Sequence, residues 1–227
     1  MTIKHAQDPQ SNPAQYLTIV LISDTHELHR GLDVPFGDLL IHAGDFTMLS
    51  KRAAAILDFS QWLGELPHRF KLVVPGNHEF FLASDLARRS LISNATLLIN
   101  EHIEIMGLKI WGSPTTLAVG GAFSIGSEKD RRALYSQIPS DTNVVITHGP
   151  PYGILDQFPG SNFHQGCREL REAVLQVKPL LHVFGHLHGA HGMVSNEDTL
   201  FVNAALLGPD GDLSESPIVL RMPRIRS

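Results

Sequence analysis

The stretch LTIVLISDTH, residues 17–26, decides the fold class of this chain. Residues 17–23 are apolar at nearly every position, which is typical of a strand buried on both faces of a sheet. Asp24 and His26 follow this run directly. A buried strand that ends in polar, ligating side chains predicts a central strand of an α/β protein with a site at its carboxyl end.

The same kind of apolar run recurs along the chain, and helical patterns separate the runs. The further predicted strands are 38–44, 70–76, 143–149, 180–186 and 199–205. The predicted helices are 51–65, 80–90, 128–137 and 166–177. Residues 102–113 consist of two short strand patterns around Met106 and Gly107, which predicts a hairpin. Helices that alternate with buried strands indicate the α/β class.

Composition narrows the class of protein further. The 227 residues are 43% hydrophobic and 18% charged with a net charge of −5, which is typical of a globular domain and argues against binding of long nucleic acid. A single cysteine, Cys167, excludes an intrachain disulfide and a cysteine-based zinc site. No apolar stretch approaches the roughly 18 residues that span a bilayer. We expect a flexible N-terminal tail over residues 1–15, one domain over 16–227 and a cytoplasmic location.

Polar clusters follow five of the apolar runs. They are Asp24-Thr25-His26, Gly44-Asp45, Gly76-Asn77-His78-Glu79, His148-Gly149 and Gly185-His186-Leu187-His188. Because the carboxyl ends of parallel strands meet at one edge of a sheet, these clusters are expected to converge. Carboxylate, amide and imidazole ligands without thiolate favour Mn, Fe, Zn, Co or Ni over calcium. The sequence therefore predicts a site in which divalent ions are bound by Asp24, His26, Asp45, Asn77, His148, His186 and His188.

Each motif has an ordinary alternative when it is taken alone. A single DTH or GD after a strand arises easily by chance, and HGPP is commonly only a turn. Asp24 and Asp45 would also suit helix caps or turns. All five motifs occur in order and each lies at a strand end, which favours the metal site.

The ordered motifs DTH, GDF, GNHE, HGPP and GHLH resemble the calcineurin-like metallophosphoesterase superfamily. SDTHELHR, WGSPT, THGPPYG and KPLLHVFGHLHGAHG are similar to its metallophosphoesterase-domain (MPPED) family, and the similarity extends over about residues 17–223. This resemblance implies a four-layer α/β/β/α sandwich, with two mixed sheets face to face and helices outside.

The resemblance also implies a role for each matching residue. One metal ion would be bound by Asp24, His26 and His188, and the second by Asn77, His148 and His186. Asp45 would bridge the two ions. His78 would not be a ligand; it would lie beside the substrate as a general acid or phosphate-stabilising donor, with Asn77 also near the substrate.

The expected activity is that of a dinuclear metal-dependent phosphoesterase, with manganese favoured. The leading interpretation is a phosphodiesterase that hydrolyses small, nucleotide-like esters such as cyclic nucleotides, 2′,3′-cyclic ones included, through a hydroxide held between the ions. Three alternatives stay open: a phosphomonoesterase or protein phosphatase on the same site, a nuclease, and a non-catalytic metal-binding scaffold. The sequence leaves the oligomeric state open.

Residues outside the ligand set carry weaker predictions. Arg30 is expected to bind a phosphate or nucleotide, or to be a solvated loop arginine. Glu79 would either orient a histidine or begin a helix. The long loops 114–127 and 150–165 adjoin the ligand clusters and are expected to govern substrate choice.

Overall fold

The computed structural model describes residues 4–5, 15–49, 51–117 and 119–225, in which the chain forms two six-stranded sheets. The strands are β1 Lys4–His5, β2 Tyr16–Ile22, β3 Leu39–His42, β4 Phe70–Val73, β5 Thr96–Leu97, β6 Glu101–Ile105, β7 Leu108–Ser113, β8 Val144–Thr147, β9 Leu181–Phe184, β10 Gly192–Ser195, β11 Leu200–Asn203 and β12 Ile218–Pro223.

Both sheets have a parallel centre; the first sheet has one antiparallel edge and the second has two. The first has the order β1-β12-β2-β3-β4-β5, in which β2 to β5 are parallel and β12 runs antiparallel to β2. The second has the order β10-β11-β9-β8-β7-β6, in which β7, β8, β9 and β11 are parallel. All six predicted central strands are present. In each sheet the parallel strands all have their carboxyl ends at the same end of the sheet.

The helices are α1 Ala53–Glu65, α2 Phe80–Ala83, α3 Glu128–Tyr135 and α4 Arg168–Val177. The predicted continuous helix over 80–90 is wrong, since α2 ends after one turn and a 3₁₀ segment follows at Leu86–Leu91. Asp85 separates them. Its backbone is extended (φ −159°), and its side chain accepts a hydrogen bond from Ala87 N at 3.0 Å, which caps the second segment.

Three apolar layers confirm the four-layer sandwich. Ile19 and Ile41 of the first sheet pack against Ile146 and Val183 of the second in the central layer. The other face of the first sheet packs on α1, with Phe59, Trp62 and Leu63 buried. The outer face of the second sheet packs on α3 and α4, with Trp111, Tyr135, Leu170 and Val174 buried. Each helix buries one stripe and exposes the rest to solvent.

The predicted hairpin is confirmed: β6 pairs antiparallel with β7, with Ile105 opposite Leu108. Met106 and Gly107 both have positive φ (55° and 79°), as a two-residue hairpin turn requires. The sequence prediction missed β1, β5, β10 and β12. β1 and β5 have two residues each, β10 has no buried residue and β12 alternates buried with half-buried residues, whereas the prediction relied on continuous apolar runs.

Part of the predicted N-terminal tail belongs to a sheet, because Lys4 and His5 pair with Arg221 and Leu220 of β12. Residues 1–3 and 6–14, the rest of that prediction apart from Gln15, lie outside the described residues. Across the described ranges, no helix has the length and apolar character to cross a bilayer.

Candidate metal centre

Asp24 lies just beyond β2 and is completely buried, with a positive φ of 55°. Its Oδ2 accepts a hydrogen bond from the backbone N of His186 at 2.8 Å. Its Oδ1 has no hydrogen-bond partner among the described residues, and the Nε2 of His188 lies 3.3 Å away. Burial alone would raise the pKa of Asp24, but the imidazoles of His188 and His148 lower it. Asp24 Oδ1 is therefore an ionised, buried carboxylate oxygen that accepts no hydrogen bond from the described part of the chain.

His26 presents a ring nitrogen to the same place. Its Nδ1 lies 3.2 Å from the carbonyl oxygen of Thr47, which can only accept, so Nδ1 carries the proton and Nε2 keeps its lone pair. That Nε2 lies 3.3 Å from the Nε2 of His188. One ligand atom from each of Asp24, His26 and His188 falls within 4.8 Å of the others. An unpartnered carboxylate oxygen beside two imidazole nitrogens fits a divalent cation.

A second group forms around His148, which is completely buried. Its Nδ1 donates to the carbonyl oxygen of Ala43 at 2.9 Å, and its Nε2 lies 3.0 Å from Asn77 Oδ1 and 3.2 Å from Asp45 Oδ2. Burial lowers the pKa of His148, but the carboxylates of Asp45 and Asp24 outweigh it and raise the pKa to about 9. The Nε2 proton of His148 therefore occupies the place that a cation would take.

His186 completes the second group, since its ligand atom lies within 4.8 Å of those of Asp45 and His148. Its ring packs edge-on to that of His148, with the ring centroids 5.1 Å apart. Burial, with the nearby charge of His148, lowers the pKa of His186 to about 4. The ring is therefore neutral and able to ligate.

Asp45 lies between the two groups. Its Oδ2 is 3.2 Å from the Nε2 of His148 in one group and 3.8 Å from the Nε2 of His26 in the other. Its Oδ1 accepts from the backbone N of His78 at 2.9 Å. This position is the one that the predicted bridging role requires, and the assignment of each ligand to one ion stays a prediction.

Glu79 holds the loop that carries Asp45. Its Oε2 accepts from the backbone N of Asp45 at 3.1 Å and of Gly76 at 2.5 Å. Its Oε1 accepts from the backbone N and the hydroxyl of Thr47 at 2.9 and 2.8 Å. Burial, together with the charge of Asp45, raises the pKa of Glu79 to about 8. The sequence leaves open whether Glu79 orients a histidine or begins a helix. Its hydrogen bonds are to Thr47 and to the backbone of Asp45 and Gly76, which holds Asp45 at its positive φ of 53°, and α2 begins directly after it at Phe80.

Two buried histidines to which the sequence assigned no role hold threonines beside the ligands. His42 Nδ1 accepts from the backbone N of Gly44 at 3.2 Å, so its Nε2 donates to the hydroxyl of Thr25 at 3.0 Å. His182 Nε2 lies 2.9 Å from the hydroxyl of Thr147 in the neighbouring strand. Burial lowers the pKa of each histidine to about 3. The sequence signal that could have identified both residues is a histidine inside an otherwise apolar strand.

His78 lies at the mouth of the centre, with 23% of its side chain exposed. Its Nδ1 accepts from the backbone N of Leu49 at 3.3 Å, so the neutral ring carries its proton on Nε2. This Nε2 lies 3.8 Å from Asp45 Oδ2, and ligand atoms of His26, Asp45 and His78 also lie within 4.8 Å of one another. A protonated nitrogen can donate but cannot ligate, which agrees with the predicted acid role without testing it.

Two glycines allow the loops to approach the carboxylates closely. A Cβ at Gly76 would collide with Asp45 Oδ1, and one at Gly185 would collide with Asp24 Oδ2. Each glycine directly precedes a ligand residue in the sequence, where the absence of a side chain permits this close approach.

Arg30 makes its ion pairs with α1 and not with the ligand groups. Its guanidinium forms ion pairs with Asp58 at 2.8 Å and Glu65 at 3.2 Å, both on α1. All three side chains are between 43% and 51% exposed. Its donors are engaged by these carboxylates, and its role in substrate binding stays a prediction.

Comparison with known proteins places this geometry in a family. The sequence profile described as calcineurin-like phosphoesterase matches residues 17–190. The chain belongs to this family. A UPF0046 protein of Caenorhabditis elegans is 36% identical over 98% of this chain and 81% of its own length. Human metallophosphoesterase domain-containing protein 1 is 34% identical over 95% of this chain and 74% of its own length.

Solved structures support the fold of this phosphoesterase. The protein TT1561 of Thermus thermophilus is 17% identical, with a TM-score of 0.57 over 88% of this chain and 91% of that one. Another crystal structure reaches a TM-score of 0.65 at 15% identity and covers 92% of this chain. Family membership and the metal-binding groups together make the chain a metal-dependent hydrolase of phosphoric esters.

Proposed function

We propose that this phosphoesterase is a dinuclear phosphodiesterase that hydrolyses small, nucleotide-like diesters, including 2′,3′-cyclic nucleotides. The observation that supports a dinuclear centre is the position of Asp45, whose Oδ2 is within 4 Å of a ring nitrogen from each ligand group. A carboxylate oxygen shared by two groups of ligands suits two divalent ions held close together.

In the proposed ligand sets, Asp24, His26 and His188 would hold one ion, Asn77, His148 and His186 would hold the other, and Asp45 would be shared by both. When bound, the ions supply Lewis-acid stabilisation of the phosphoryl oxygens and an activated water at neutral pH. The protein keeps the ligands in place through buried carbonyls, which fix the tautomers of His26 and His148. The oxygen and imidazole ligands, without thiolate, suit Mn, Fe, Zn, Co or Ni, and of these we propose manganese as the activating metal.

His78 is proposed to donate the proton that the leaving oxygen needs. Its imidazole is partly exposed, as that of His188 is, and the hydrogen bond from Leu49 N leaves its proton on Nε2, which lies 3.8 Å from Asp45 Oδ2. A general acid in this position contributes roughly 10²- to 10⁴-fold to the rate. Diesters with alkoxide leaving groups depend on such a donor more than aryl esters do, because an alkoxide is the stronger base.

The net charge of the protein bears on the size of the substrate that we propose. The net charge of −5 disfavours a long polyanion but allows a compact ester. The same centre could act on monoesters, so the choice between diester and monoester is the point to test.

The test is hydrolysis by protein purified without metal and reloaded with Mn²⁺. We expect turnover of bis(p-nitrophenyl) phosphate and of 2′,3′-cyclic AMP, with kcat/KM for these diesters above that for p-nitrophenyl phosphate. Asp45→Ala, measured in parallel, controls for contaminating esterases. Preference for the monoester would favour the phosphomonoesterase, and metal-loaded protein inactive on every ester would favour the scaffold.

A further inference from the structure

A cavity of about 430 Å³ opens between the two loops that follow β7 and β8. Leu117 lines it from the loop over 114–127, and Tyr152 and His164 line it from the loop over 150–165. Arg168, at the start of α4, forms part of its wall. None of these four residues takes part in the proposed chemistry of the metal centre.

The cavity and the metal centre both lie at the end of the second sheet where its parallel strands terminate. β7 and β8 are parallel, so the loops that follow them leave the same edge of the sheet. Tyr152 is four residues beyond His148, which keeps their Cα atoms within roughly 14 Å of each other. The loop over 114–127 reaches the centre as well, because Ala122 N donates to the carbonyl oxygen of Asn77 at 2.9 Å. A small substrate could therefore extend from the metal centre into this cavity.

The charge in the cavity is positive and available to a ligand. The guanidinium of Arg168 stacks on the ring of Tyr152, 3.6 Å from its centroid. Within the described part of the chain, this guanidinium has no ion pair and donates no hydrogen bond. The acidic groups nearby are already engaged: Glu169 pairs with Arg131 at 2.8 Å, and Asp156 contacts His164 at 2.7 Å.

The stacking decides which ligand fits best. One face of the guanidinium is covered by Tyr152, while its N–H donors lie in the plane of the group. In-plane donors suit the oxygens of a phosphate or carboxylate, and the aromatic ring limits the freedom of the arginine before the ligand binds. The imidazole of His164, whose ring centroid lies 4.9 Å from that of Tyr152, lies at the rim of the cavity.

We infer that the cavity at Arg168 binds a second anionic group of the substrate, a phosphate or carboxylate, while the scissile phosphate occupies the metal centre. The preferred substrates would then be phosphodiesters with an additional negative charge. This inference rests on the proposed function for its catalytic meaning, whereas the anion site itself can be tested without catalysis.

The catalytic test compares matched chromogenic diesters. Ethyl p-nitrophenyl phosphate has no second charge, and analogues end in a carboxylate or a phosphate on spacers of increasing length. We expect a higher kcat/KM for an anionic ester than for the ethyl ester. Arg168→Gln should reduce the ratio of these two kcat/KM values about tenfold, as expected for loss of one charge-assisted contact. The carboxylate and phosphate series show which anion is preferred.

Arg171→Gln is the matched control. Arg171 is exposed on the same helix one turn later, but it lines a different groove beside Gly153 and Leu175. If the two substitutions reduced the ratio equally, the effect would be a general one of surface charge and the proposed subsite would be wrong. Arg168→Lys, which keeps the charge but loses the planar donors, should retain only part of the preference.

A binding experiment separates failure of the subsite from failure of the proposed function. Inorganic phosphate is titrated into the metal-free protein, and the amide NMR signals of residues 152 and 164–168 are followed. Saturable shifts that Arg168→Gln weakens and Arg171→Gln does not would support the site, even if no ester were hydrolysed. Shifts that are absent, or unchanged by Arg168→Gln, would overturn it even in an active diesterase.

Discussion

Replacement of Glu79 by glutamine tests how the bridging position is held. Glu79 is buried and accepts from four donors: two on its Oε2 side, from Asp45 N and Gly76 N, and two on its Oε1 side, from Thr47. A glutamine has nearly the same shape, but its nitrogen cannot accept. Whichever way the amide is turned, at least one backbone N–H loses its partner.

The expected loss of stability is the one for the more favourable of the two orientations of the glutamine amide. With the amide oxygen toward Asp45 and Gly76, the NH₂ group faces Thr47, whose hydroxyl can rotate and accept but whose backbone N–H cannot. This result holds for either protonation state of Glu79, because a protonated carboxyl oxygen still has a lone pair for Thr47 N. One buried unsatisfied donor costs about 1–3 kcal/mol. At this chain length each kcal/mol shifts Tm by roughly 2–4 °C, so a loss of about 2 kcal/mol corresponds to a drop of about 4–8 °C.

The assay combines scanning calorimetry with metal titration. We expect Glu79→Gln to lower Tm by this amount and to weaken metal binding, because Asp45 is no longer fixed at its positive φ. Glu27→Gln is the control: its exposed carboxylate accepts one backbone bond, from Met48 N at 2.9 Å, which an amide oxygen can keep. A Glu79→Gln protein with wild-type Tm and wild-type metal affinity would refute the reasoning.

Three further outcomes are expected. Asp45→Ala should abolish activity and lower the bound metal well below that of wild type, whereas His78→Ala should reduce turnover by about 10²-fold or more with most of the metal retained; equal metal loss by elemental analysis would contradict this division. Removal of metal by a chelator should lower Tm by several degrees, since a ligand at 100 times its Kd stabilises by about 2.7 kcal/mol, and an unchanged calorimetric Tm would argue against these ligand groups. Burial lowers the pKa of His182 to about 3 from 6.5, so the ring stays neutral in the folded protein. As pH falls below 6.5 towards 3, only the unfolded chain takes up the proton, and the folded state loses stability. The stability gap between wild type and His182→Gln should therefore shrink by about 1 kcal/mol between pH 7 and 5.5 in urea unfolding, and a gap independent of pH would count against a buried neutral imidazole.

The central strands and ligand clusters could be predicted because both signals are local. A buried strand needs apolar residues in succession, as in 17–23, and a chelating cluster such as Asp24-Thr25-His26 is contiguous in sequence. The strand of residues 218–223 escaped prediction because only alternate residues are buried. The helix over 80–90 was mispredicted because its helical pattern conceals the break at Asp85, where the side chain caps a new segment.

The sequence by itself determined the α/β class, the six central strands and the types of ligand available, since burial and metal preference depend on the residues present in each short segment. Only the tertiary structure decided which residues meet. The four bonds of Glu79, the contact of His182 with Thr147, the pairing of Arg30 with α1 and the cavity beside Arg168 all join residues distant in the chain or on separate loops. Such contacts are set by strand order and loop path, because a side chain's partner across neighbouring strands depends on register and not on sequence spacing.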